Sequence, residues 1–253
     1  QIAGMTTTQV AGMNATVVGA LTDTQVGAMT ATQLQSMLAA NVHALNATQV
    51  AGMNNTQVAA LTAAQITAMD AGDIAEFSAD QVAHMTTTQI KAFNSTKLAA
   101  LDDSQIAALT ATQLQAITTT NVSAFTATQM QNFTLAQIGA FSAPQVGAFS
   151  NANLAALDAA QVGALSVTQI KSLTATQLGA LAASDIAEFT ETQIAAFSTS
   201  QVAALTATNV TSLSDAQVAA LSTTQLAKLD AATFAAFDAT QVATLNATQV
   251  RSL

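Results

Sequence analysis

Leu109-Thr110-Ala111-Thr112-Gln113-Leu114-Gln115-Ala116-Ile117 holds one complete unit of this chain with both of its boundaries. Thr110 and Gln113 stand three apart, the spacing of a capping box. The threonine oxygen accepts from the backbone N–H three residues on, and the glutamine reaches back to the threonine N–H. Ala, Leu and Gln favour helix, so the spacing predicts a helix of five or six residues opening after Thr110. The next cap, Thr118, follows at once, so the helix must end near Ile117 at a sharp corner. Thr22 with Gln25 has the same device. Thr206 with Asn209 reads as a softened form, because the shorter amide reaches back less easily. Pro144 falls two places after the cap Ser142, where a missing N–H does little harm.

Outward from this unit the period is eight and never slips. From Met5 through Met13, Leu21 and Met29 to Leu253, all 32 positions hold Leu, Met, Phe or Ile. From Ile2 through Val10 and Val18 to Val250, all 32 hold Val, Ile, Leu, Met or Phe. The residue after each large hydrophobe is Thr, Ser, Asp or Asn in 29 of 31 cases, Leu38 and Ala182 being the exceptions. Gln precedes the second apolar position in 23 of 32 octads. The consensus is Thr-Ala-Thr-Gln-Val-Ala-Ala-Leu, and no insertion marks a linker. Residues 1–253 therefore read as a single uninterrupted repeat array, a window of a longer one.

One continuous helix fails on geometry. Eight residues at about 100° each overshoot two turns by about 80°, so the apolar stripe would circle the helix and face no single partner. Restarting at every cap removes the problem. A strand reading is weaker, because the large apolar positions do not alternate. The Thr-x-Thr pairs, such as Thr22 and Thr24, are what would suit an ice-binding β-solenoid.

The Gln column is interrupted at Val17, Asn41, Asp73, Lys97, Asn121, Asn153, Asp185, Asn209 and Thr233, always at the third or fourth octad after the last interruption. This evenness implies a superhelix that closes a turn in about 3.4 octads. The expected fold is all-α: a solenoid of very short helices, one per 8-residue repeat, with Val and Leu on the axis. Gln would lie between turns and donate to carbonyls left over at helix ends. Close packing across small residues implies a rod on the order of 75–90 Å, stabilised by nearest-neighbour interfaces.

Five Lys+Arg against fourteen Asp+Glu give a net charge of −9, which lacks the basic footprint of a nucleic-acid binder. Zero cysteines remove disulfides, thiolate metal sites and thiol nucleophiles. No apolar run approaches the roughly 18 residues of a membrane span. No motif joins a hydroxyl to a histidine and an acid, and no phosphate loop, dinucleotide fingerprint or zinc spacing occurs. The expectation is no catalytic residue, no cofactor and no metal ligand.

A few residues stand out against that background. Asp73 with Glu76, and Asp185 with Glu188, lie in identical Asp-Ile-Ala-Glu-Phe segments. Each pair shares a helix face and reads as a solvated acidic face rather than a calcium site, since hard cations want six or more oxygens. Lys97, three octads after Asp73 in the same column, suggests a cross-turn salt bridge. His43 and His84 read as surface substitutes for small residues. Phe125, Phe133, Phe141 and Phe149 read as core stacking. The Asn-x-Ser/Thr triplets arise from the cap pattern itself.

Leu-Thr-Ala-Thr-Gln-Leu at 109–114 and Ser-Asp-Ala-Gln-Val-Ala-Ala-Leu at 214–221 resemble repeats of very long secreted or surface-exposed bacterial proteins, adhesin-like and RTX-like. The resemblance implies an extracellular structural or adhesive role; the RTX nonapeptide itself is absent. The Leu-Thr-x-x-Gln-Val start is also similar to the opening of TAL-effector repeats, but their length, base-reading loops and positive charge are missing. The expectation is a rigid rod, stalk or filament that associates with itself end to end or side by side. The alternative is a binding module using a Thr/Gln-rich outer face for carbohydrate or ice.

Overall fold

The computed structural model describes residues 2–252. After a short 3-10 turn at Ile2–Gly4, these residues form 31 α-helices of four to six residues each, one per octad, and no strand. The helix inside the opening unit is Ala111–Ala116. Thr110, its N-cap, is extended at φ −77°, ψ 159°, and its side chain accepts from the Gln113 N–H. Gln113 Oε1 in turn accepts from the Thr110 N–H at 2.8 Å. At the other end Ile117 is extended at φ −64°, ψ 132°, and Thr118 follows at φ −70°, ψ 151°. Two successive extended residues make the corner. No described residue has positive φ, so the coil turns its corners without left-handed glycines. This explains how a chain with only ten glycines can have so many of them.

The octads fall into two compact units that divide between Phe125 and Thr126. In the first, each helix packs on the third one along. Thr7–Ala11 lies against Ala31–Ser36, and Ala79–Ala83 against Asp103–Ala108. The second repeats the rule: Ala143–Val146 lies against Val167–Ser172. Each unit is thus a helical solenoid with its own apolar axis. The Val/Ile column is sealed through most of its length, with Ile74, Ile106, Ile170 and Ile194 all at 0% exposure, and opens in the last octads, where Val242 is 41% and Val250 51% exposed; the Leu/Phe column lies just outside it. Where Phe residues follow one another they stack edge to face, at 5.3 Å for Phe133 and Phe141 and 5.1 Å for Phe141 and Phe149. Such pairs add to the apolar burial.

The glutamines join the turns. Gln49 Oε1 completes its own capping box at Asn46. Its Nε2 donates to the Leu21 carbonyl at 2.6 Å, 28 residues back, and to the Val18 carbonyl at 3.0 Å, 31 residues back. In the second unit Gln193 makes the same pair of bonds, to Leu165 at 2.9 Å and Val162 at 2.7 Å. The nearer acceptor along the chain is a carbonyl at the corner, an orphan of helix termination. Buried glutamine amides are therefore satisfied at both ends, as buried polar groups must be. Gln9 and Gln25, in the first turn, are exposed and make the box alone.

Neighbouring turns meet at offsets from 25 residues, as between Asn55 and Asp80, to 31 residues, as between Gln49 and Val18. The spacing of about 3.4 octads read from the sequence lies within this span. The softened box expected at Thr206 is not observed. The Thr206 N–H reaches Asn209 Oδ1 at 2.9 Å, as in the Gln boxes. The shorter side chain loses reach at its other end, where it meets one carbonyl, Leu181, at 3.1 Å.

Candidate functional site

Glutamine is replaced by an ionisable residue three times in its column, at Asp73, Lys97 and Asp185. The solvated acidic face expected at Asp73 is not what forms. Asp73 is buried at 8% exposure, because its column lies between turns. It completes a capping box with Asp70, accepting from the Asp70 N–H at 2.7 Å, while Asp70 Oδ1 accepts from the Asp73 N–H at 3.0 Å. Its second partner comes from the preceding turn: His43 Nδ1 lies 2.5 Å from Asp73 Oδ2. His43 is at the surface, as expected, and is the C-cap of the helix Ala39–Val42.

The cross-turn bridge expected between Lys97 and Asp73 does not form. Lys97 is buried at 3% exposure, and its ammonium donates to the Thr67 carbonyl at 2.9 Å, 30 residues back. It takes the place that a glutamine amide nitrogen holds elsewhere in the column. Residues three octads apart share a column but not this contact, because the column's side chains bond to carbonyls further back along the chain.

Each ionisation follows from these surroundings. The hydrogen bond and then the charge of Asp73 raise the His43 pKa. The Asp73 backbone N–H holds the Asp70 carboxyl below its ordinary value. Burial raises Glu76, with the Asp73 charge adding to it, and burial lowers Lys97. Burial also raises Glu188, helped by Asp185 and Asp158. One oxygen each of Glu76 and Glu188 is buried without a hydrogen-bond partner.

His84 stays at the surface beside Asp80 of its own helix turn. The sequence pairs Asp73 with Glu76 and Lys97 and leaves His43 apart. Its only signal for His43 is a polar replacement in an Ala/Gly column, with nothing to say what lies one turn ahead.

Two surface grooves, of about 420 and 380 Å³, repeat the same octad positions. One lies over Phe197, Ser198, Ser222 and Gln225, the other over Met53, Asn54, Ser78 and Gln81. Ser198, Ser222 and Ser78 are fixed as helix caps. Neither groove is lined by a histidine that could activate a hydroxyl.

The architecture defines an all-α tandem-repeat protein of the solenoid class. Residues 82–119 and 144–175, less than a third of the chain, match the model of the ALTTAQ repeat family. The first segment contains Ala108-Leu109-Thr110-Ala111-Thr112-Gln113, a corner and its capping box. A search among curated proteins found no match. Among the described residues no helix is long and apolar enough to cross a membrane.

Proposed function

We propose that this chain is a non-enzymatic structural segment, a rigid spacer or filament-forming array carried on the outside of a bacterial cell. The observation that supports this reading most is the bond from glutamine to the turn below. It recurs with one geometry in both units, first at Gln33 and last at Gln249. Nearest-neighbour fastening of this kind stiffens a solenoid locally and lets length grow by adding octads. The surface-protein resemblance of the repeats supports the location. Self-association, end to end or side by side, belongs to the same reading. The rival Thr/Gln recognition face is disfavoured because most of the glutamines are buried and many threonine hydroxyls, such as Thr110 and Thr190, serve as caps.

Small-angle scattering and electron microscopy of the native material test the proposal. A rod-shaped profile, with stalks or fibres in the micrographs, is expected. A compact globular profile overturns it. Antibody labelling of intact source cells tests the location, with staining expected before permeabilisation.

A further inference from the structure

We propose that His43, Asp70 and Asp73 form a binding site for a divalent transition-metal ion such as Zn²⁺, which clips two successive turns of the solenoid together. The three side chains bring one ligand atom each to within 4.8 Å of one another. One imidazole and two carboxylates form a nitrogen and oxygen set suited to Zn²⁺ and its neighbours, with positions left for water. The imidazole distinguishes this set from the oxygen cages of calcium.

The site is not a by-product of the Asp-Ile-Ala-Glu-Phe segment. At the second copy of that segment, Ala182 stands where Asp70 is and Ala155 where His43 is. The ligands therefore require His43 in an Ala/Gly column, an acidic cap at Asp70 and the loss of Gln at Asp73, all at one place.

The same column already accommodates a positive charge. At Lys97, three octads further along the column, a full cation is held by a main-chain carbonyl. Zn²⁺ takes Nδ1 of the neutral imidazole: a proton held there leaves to solvent from the doubly protonated ring, or moves to Nε2 from the singly protonated one.

Titration calorimetry of the metal-stripped full chain with ZnCl₂, with thermal unfolding alongside, tests this. Expected are one Zn²⁺ per chain, a raised Tm, and a shift of the His43 imidazole resonances with His84 unmoved. His43→Ala and Asp73→Gln restore consensus residues and should fold. Each should weaken binding at least about tenfold, while Asp185→Asn leaves it unchanged. Three results would overturn the site: no saturable Zn²⁺ binding, which makes the cluster a histidine–carboxylate pair only; binding that survives both substitutions; or Ca²⁺ binding with no Zn²⁺ binding.

Discussion

Gln105 is bonded through its side-chain nitrogen to the carbonyl of Phe77, at 2.6 Å and 28 residues back along the chain. The same nitrogen reaches the Ile74 carbonyl at 3.2 Å, and the amide oxygen accepts from the Asp102 N–H at 2.9 Å. One side chain at 0% exposure therefore closes its own helix and fastens it to the turn below.

Gln105→Ala strands a buried corner carbonyl and opens the capping box. Each buried group left unpaired costs about 1–3 kcal/mol, so a loss of roughly 2–4 kcal/mol is expected in urea unfolding. Gln105→Asn should cost less. Asn121, at the same column position, keeps the bond to the carbonyl 28 residues back, at 2.9 Å. Equal losses for the two variants would show that the bond between turns contributes nothing.

Leu38 and Ala182 cap their helices without a side-chain hydrogen bond. Ala182→Ser should supply one and add about 1 kcal/mol. Leu38→Thr removes an apolar side chain that is 58% exposed but should add no cap bond, since Thr118, ahead of the matching four-residue helix, makes none. Hydrogen exchange should slow locally in Ala183–Ala187 of the first variant and stay unchanged in Ala39–Val42 of the second.

Gly147 and Gly163 should respond oppositely to alanine. A Cβ at Gly147 would lie 2.6 Å from the Ser172 carbonyl oxygen, whereas one at Gly163 meets nothing within 4 Å. Gly163→Ala should stabilise by about 0.4–1 kcal/mol through the unfolded chain. Gly147→Ala should cost about 1–3 kcal/mol by forcing two turns apart. Thermal melts of the pair against the parent chain decide this.

The acids divide by sign. Glu188, pushed up chiefly by burial, is held more readily as the neutral acid in the folded state. Its contribution is full below the ordinary glutamate value and lost as pH rises through the raised value. Glu188→Gln should therefore gain on the parent chain as pH rises through that window. Asp102 is pulled down, first by the Gln105 backbone N–H and then by Ser104. Its contribution is present above the ordinary aspartate value and lost as pH falls through the depressed one. Asp102→Asn should flatten that acid limb. Urea midpoints measured across pH read both.

Much of this fold was legible in the one-dimensional pattern, because its determinants are local. Thr110 with Gln113 places a helix start by a hydrogen bond across three residues. The strict eight-residue period excludes any long helix, since the apolar stripe would drift. Even the superhelical repeat left a trace, at the places where glutamine gives way to other residues.

The candidate site was less legible. His43 and Asp73 lie a full turn apart along the chain, and neither belongs to a motif that names the other. Whether Asp73 meets Lys97, in its own column, or His43, outside it, depends on how far each turn is offset from the last. That offset is set by two extended corner residues and by how closely alanines and glycines let the turns approach. The amino-acid order by itself determined that the chain breaks into capped octads around an apolar axis. Only packing in three dimensions decided which octads face each other, because small differences in corner angle accumulate over a turn before any contact is made.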